Sequence, residues 1–170
     1  VLVMDTRVEH SHVDGGYAAR RASCEQAAAA LEVQSLREVT AMAELEAIED
    51  PVAKRRAMHI VTENRRVLDT VFALREGDLE AVGKLLYQSH ESMRDDYEIS
   101  SEELDVAVEA AMAAGAIGAR MTGGGFGGSA IALIKREHID KVSQAVREAF
   151  DQAGYVEPAI FTVIADEGAG

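Results

Sequence analysis

Apolar positions change their spacing along this chain, and the changes mark its elements. Val1-Leu2-Val3-Met4-Asp5-Thr6 is a short apolar run closed by polar residues, which predicts a buried strand. His10 to Gly16 reads as a loop closed by Gly15-Gly16, followed by an Ala-rich helix from Tyr17 to about Leu31. Ser35-Leu36-Arg37-Glu38 has capping-box spacing and predicts a short helix from Ser35. Asp50-Pro51 is a helix start, with Asp as N-cap and Pro at the first helical position. Behind it Ile60, Val61, Asn64, Leu68, Val71 and Phe72 recur at helical spacing on one face. Gly77-Asp78 ends that helix and caps the next, which runs through Leu85, Leu86 and His90 to about Arg94. A second capping box, Ser100 to Glu103, opens a helix with Leu104, Val108, Ala111 and Met112 on its apolar stripe.

After Gly115 the spacing changes. Ala116 to Met121 reads as a strand, Thr122 to Gly128 as a glycine-rich loop, and Ser129 to Ile134 as a second strand too apolar for an exposed edge. A helix follows with Ile139, Val142, Val146 and Phe150 facing inward, ended by Gly154, and Ala159 to Ile164 is the last strand. Four strands and five or six helices, with the long helices between the first strand and the rest, predict an α+β fold. Its small, mostly antiparallel four-stranded sheet is covered by helices. No linker or repeat divides residues 1–170, so one domain is expected.

Charge and composition narrow the function. Of 170 residues, 17 are Lys or Arg and 30 are Asp or Glu, a net charge of −13. That balance argues against a nucleic-acid partner, because no basic stripe is available to phosphate. No apolar run approaches the length of a membrane span, and the first residues lack the basic and apolar regions of a signal peptide. The single Cys24 makes no internal disulfide, as expected in a reducing, cytoplasmic setting. The chain opens on Val1 inside a strand, which suggests a piece of a longer protein.

The strongest chemical signal is Arg120-Met121-Thr122-Gly123-Gly124-Gly125-Phe126-Gly127-Gly128-Ser129. Glycines this dense serve where backbone approaches something closely or takes positive φ. Gly123, Gly125 and Gly128 match the spacing of a dinucleotide fingerprint, but a strand follows where that motif needs a helix. Gly123 and Gly128 match a Walker loop, but Ser129 stands where Lys is required. Two readings stay open: a tight bulged hairpin, or a backbone surface packed near a phosphate. Arg120 suits a phosphate contact or a structural ion pair. Tyr17, after two glycines at a helix start, either presents its hydroxyl to a polar ligand or packs into the core. Arg20 and Arg21 read as helix-surface charges or ion-pair partners. Glu63-Asn64-Arg65-Arg66 and Arg94-Asp95-Asp96-Tyr97 read as surface or interface charge clusters. His10 and His12 share one side of an extended segment but have no third ligand at useful spacing, so no metal site is assigned. Cys24 reads as a small packed residue.

Four segments in order resemble the galactokinase family of the GHMP small-molecule kinase superfamily. The glycine segment Arg120 to Gly128 is similar to the superfamily's third motif. Ser89-His90-Glu91-Ser92-Met93-Arg94-Asp95-Asp96-Tyr97-Glu98-Ile99-Ser100, with Glu103-Leu104-Asp105, resembles a galactokinase stretch. Tyr17-x-x-Arg20-Arg21-x-x-Cys24 and His59-x-x-x-Glu63-Asn64 fall in the expected order. The resemblance covers nearly the whole chain but only the C-terminal portion of the family. It implies a GHMP C-terminal domain with a ferredoxin-like core. The whole enzyme would transfer phosphate from ATP, with Mg2+, to the C1 hydroxyl of galactose in a cleft between two domains. The sugar motif, the phosphate-binding loop and the catalytic groups would lie upstream, so no catalytic residue is assigned in this chain. Tyr17 is implied as a galactose contact. Thr122, Gly123, Gly124, Gly125, Phe126, Gly127 and Gly128 are implied as the wall behind the phosphate loop. A kinase for N-acetylgalactosamine or arabinose, or a non-catalytic sugar sensor, would share this domain. The sequence departs from many relatives at Gly15-Gly16, where they carry Ser-Glu, and at Ser129, often Cys.

Overall fold

The computed structural model describes residues 1–8 and 13–164. Its elements follow the order β1 (Leu2–Asp5), α1 (Val13–Ala30), two 3-10 turns (Leu36–Glu38 and Met42–Ala47), α2 (Pro51–Glu76), α3 (Leu79–Asp95) and α4 (Glu102–Ala113). Then come β2 (Gly118–Met121), β3 (Ser129–Leu133), a 3-10 turn (Arg136–His138), α5 (Ile139–Ala153) and β4 (Ala159–Thr162). The four strands form one sheet in the order β2-β3-β1-β4, every neighbouring pair antiparallel. The first strand thus inserts between two strands from the far end of the chain. This is the α+β arrangement the spacing predicts.

Local chemistry sets the helix ends. Asp50 accepts hydrogen bonds from the amides of Val52 and Ala53, each 2.8 Å, and Pro51 follows it. Gly77 and Gly154 end α2 and α5 in the left-handed conformation, φ 70° and 75°. Ser35 and Glu38 close the capping box at the first 3-10 turn. At α4 the cap is Ser101, whose hydroxyl accepts from the Leu104 amide. Ser100, the expected cap, instead donates to Asp105 Oδ1 at 2.6 Å.

The main core lies under one face of the sheet. Met121, Ala130 and Met4 stand in one row across β2, β3 and β1, and Ala119, Ala132 and Leu2 in the next. All six are buried beneath α4 and α5, which contribute Leu104, Ala107, Val108, Ala111, Val142, Val146 and Phe150. Alanines on β2 and β3 (Ala119, Ala130 and Ala132) let the helices close on the sheet, where larger residues would hold them off. A second cluster joins α1 to α2 through Ala27, Leu36, Leu45, Ala53, Ala57 and Val61.

Two expectations change. Gly15 and Gly16 lie inside α1, because the helix starts at Val13. His10 and His12 fall outside the described residues. The apolar face drawn along α2 is buried at Val61, but its C-terminal part is open: Leu68 is 70% exposed and Phe72 66%. Helical spacing records one face of a helix, and only packing decides whether anything covers it.

Candidate functional site

Tyr17 sits near the start of α1 with its side chain 61% exposed, so it is not a core tyrosine. Its ring runs alongside the glycine loop: a Cβ added to Gly124 would stand 3.9 Å from Tyr17 Cε2. Tyr17, Arg20, Cys24, Tyr97, Gly124 and Phe126 line a cleft of about 420 Å3. Two of the sequence-derived candidates, the tyrosine and the loop, therefore meet at one place although more than 100 residues separate them.

The loop itself is a shaped object. Gly123, Gly125, Gly127 and Gly128 all have positive φ (84°, 85°, 127° and 89°), and so does Phe126 at 62°. Thr122, Gly123 and Gly124 face solvent, whereas Gly125 and Gly127 are buried. A side chain on Gly125 would overlap the Ile99 carbonyl. The neighbouring Phe126 amide donates to that same carbonyl at 2.7 Å. At the far end Thr6 anchors the loop, its amide and hydroxyl both donating to the Gly128 carbonyl at 3.0 and 2.7 Å. Phe126 turns toward α1, where Gly16 leaves room: a Cβ there would lie 2.6 Å from the ring. A two-residue hairpin turn requires none of this.

A second turn, residues 96–99, supports the loop from behind. Arg20 donates from Nε to the Tyr97 carbonyl at 2.5 Å and from its terminal nitrogen to the Glu98 carbonyl at 2.6 Å. Its guanidinium also lies 5.6 Å from the centre of the Phe126 ring. Buried Arg56 donates to the Asp96 carbonyl and pairs with the Glu98 carboxylate. Glu98 takes a left-handed backbone, φ 52°, unusual outside glycine. His59 stacks on Tyr97 with centroids 4.5 Å apart, and its Nδ1 is 3.0 Å from Ser92 Oγ. Ser92 spends its one hydroxyl proton on Asp96 Oδ2, at 2.8 Å, so it accepts from His59, whose proton is on Nδ1. Burial pushes the His59 pKa down to about 4, so the ring is neutral at physiological pH. Burial, followed by the Cys24 thiol 3.6 Å away, raises the Tyr97 phenol well above its ordinary range.

Arg120 is committed to structure. It donates to the Met121 carbonyl at 2.9 Å and pairs with Glu63 at 3.3 Å. Glu63 also accepts from Ser89 and Arg66, at 2.5 and 2.6 Å. Burial pushes the Glu63 carboxyl up, but these hydrogen bonds and the two arginine charges outweigh it and hold it below the usual carboxylate range. The Glu63 to Arg66 segment, read from sequence as a surface charge cluster, is thus anchored at Glu63 into α3 and β2. His90 is fully buried and accepts from the Met121 amide at 3.2 Å through Nδ1. Among the described residues no three His, Cys, Asp or Glu side chains gather as a metal ligand set.

Comparison with known proteins bears on this geometry. Residues 71–152 match the family model described as GHMP kinases C terminal. Within this stretch, which holds α3, α4, β2, the glycine loop, β3 and most of α5, the chain is similar to that family. Over 99% of its length it is 53% identical to galactokinase of Mycobacterium tuberculosis (strain H37Rv) and 49% identical to galactokinase of Streptomyces coelicolor. It spans 47% and 45% of those proteins, their C-terminal part, so about half of each relative has no counterpart here. The Lactococcus lactis galactokinase structure, solved with galactose, superposes on 94% of the chain with a TM-score of 0.89 and 33% identity. A mevalonate kinase from L. major, 21% identical with a TM-score of 0.55 over 94% of the chain, shares the fold. Of the residues that shape the cleft, sequence reasoning found Tyr17 and the glycines. It missed the supporting role of Arg20, Arg56, His59 and the 96–99 turn, since nothing in their spacing reports a contact made across the fold.

Proposed function

We propose that this chain forms the C-terminal domain of a galactokinase that transfers the γ-phosphoryl group of ATP to the C1 hydroxyl of α-D-galactose. The observation that carries the reading is the exposed Tyr17 set against Gly123 and Gly124 in one cleft, in a chain 53% identical to galactokinase over nearly its whole length. In the reaction the C1 oxygen attacks phosphorus, the bond to the β–γ bridging oxygen breaks, ADP departs and the hydroxyl proton passes to a base. Catalysis of this type rests on positioning and on stabilising charge.

In this reading Tyr17 binds a galactose hydroxyl, and Thr122 to Gly128 form the wall behind the phosphate-binding loop. Base, phosphate loop and Mg2+ ligands belong to the domain upstream, and the cleft between the two domains holds both substrates. No step is assigned to a metal held by this chain. Such an enzyme works in the cytoplasm, beside ATP and in a medium that keeps the free Cys24 reduced. The test is to assay the full-length protein with ATP and a panel of galactose, N-acetylgalactosamine, arabinose and glucose. Galactose 1-phosphate as the preferred product supports the reading. Preference for another sugar, or no turnover with any, refutes it.

A further inference from the structure

Arg20 occupies an unusual position. It lies one helical turn beyond Tyr17 on α1, and its guanidinium ends on two carbonyls of the 97–98 turn, at 2.5 and 2.6 Å. The next carbonyl along, that of Ile99, receives the Phe126 amide at 2.7 Å. The same guanidinium is close to the Phe126 ring, 5.6 Å from its centre. Two residues in this circuit, Glu98 and Phe126, hold left-handed backbones that a non-glycine residue adopts only when its surroundings impose them.

We propose that Arg20 is the positioning residue of the sugar side of the cleft. It fixes the distance between the Tyr17 hydroxyl and the Gly123-Gly124 backbone without touching the substrate. The inference rests on the galactokinase reading above and adds to it a residue through which the two walls of the site are locked together.

The geometry explains why arginine is needed. Two adjacent carbonyls of one turn point at a planar fork, and a single ammonium group cannot donate to both along the same directions. Without the fork, Arg56 still holds the Asp96 carbonyl and the Glu98 carboxylate, Arg55 still pairs with Glu98 at 3.4 Å and His59 still stacks on Tyr97, but among the described residues no donor remains on the Tyr97 and Glu98 carbonyls. The turn stays tied through the Tyr97 and Ile99 amides to the end of α3, but the two freed carbonyls can rotate, and the adjoining Ile99 carbonyl and the Phe126 amide shift with them. Small displacements of binding groups cost affinity steeply.

Two measurements test this. In the 170-residue chain, hydrogen exchange at the Phe126 amide is expected to accelerate at least about tenfold in Arg20→Ala, and by less in Arg20→Lys, while core amides such as that of Val146 hold their rate. In the full-length kinase, Arg20→Ala is expected to raise the galactose KM about tenfold and leave the ATP KM within about twofold, with Arg20→Lys between wild type and Ala. A residue that merely supports folding would lower the amount of active enzyme, and so the apparent kcat, and would leave both KM values unchanged. That result, or unaltered Phe126 exchange, overturns the proposal. If Arg20→Ala does not fold, Arg20→Lys carries the same test alone. Absence of galactose phosphorylation by the wild-type full-length protein would instead sink the galactokinase reading, while the exchange experiment would still decide whether Arg20 holds the loop.

Discussion

Two residues, Tyr17 in the cleft and His59 buried behind Tyr97, invite direct tests. Tyr17 offers a hydroxyl that can pair with a sugar hydroxyl. Tyr17→Phe in the full-length enzyme should cost roughly 0.5–1.5 kcal/mol of binding, a rise of about 2- to 15-fold in galactose KM. Both kcat and the ATP KM should hold, and steady-state kinetics with each substrate varied in turn would show it. His59 links the cleft to pH. Burial lowers its pKa to about 4, below the value of about 6.5 it regains on unfolding. As pH falls through that window the unfolded chain takes up a proton that the folded ring refuses, so stability is complete above pH 6.5 and is lost toward pH 4. About 2 kcal/mol should disappear between pH 7 and 5 on this account. Urea unfolding at the two pH values, in wild type and in His59→Gln, should show a distinctly smaller acid loss in the variant.

Glycines take three different parts in the elements that hold them. Gly83 of α3 lies against Ile117 and Gly118 at the start of β2, and a Cβ on either glycine would collide with the other segment's backbone. Gly83→Ala should therefore destabilise by about 3 kcal/mol, because backbone cannot move aside as a side-chain tip can. Gly15, inside α1, has among the described residues no atom beyond its own stretch of helix within 4 Å of its missing Cβ, so Gly15→Ala should stabilise by about 0.5–1 kcal/mol. Thermal unfolding of the pair checks both signs together. The same contrast shows what the sequence made legible. Asp50-Pro51, Gly77, Gly154 and Ser35 were readable because a cap is a local affair of a few consecutive residues. Gly15-Gly16 was read as a loop because two glycines weaken a helix; α1 spans them all the same, and Gly16 leaves the space that the Phe126 ring occupies. Ser100 and Ser101 both suit a cap, and the choice depended on Asp105 claiming the first. Contacts such as Arg20 to Tyr97, or Glu63 to Arg120, join segments more than 50 residues apart and leave no mark in local spacing.

At the scale of the molecule, the proposed function makes this chain one wall of a cleft. Tyr17 and the glycine loop face outward, and the residues behind them are occupied with holding them in place. The purified 170-residue chain should therefore bind neither substrate tightly and show no galactose phosphorylation. A coupled ADP-release assay on material free of host kinase checks this, and turnover by the chain alone would place catalytic groups here that the present reading assigns upstream.

The insertion of β1 between β3 and β4 has a consequence for synthesis on the ribosome. Leu2 pairs with Ala132 on one side and Thr162 on the other, so the earliest strand of this sheet must wait for its last. Helices α1 to α3 can form and dock as they emerge, since their contacts lie near in sequence. The sheet cannot be completed until the chain through Thr162 has left the exit tunnel, and until then Leu2 and Met4 lack the partners that bury them. Until then the growing chain carries an unpaired apolar strand, a segment that chaperones shield and that stray strands elsewhere in the cell can capture.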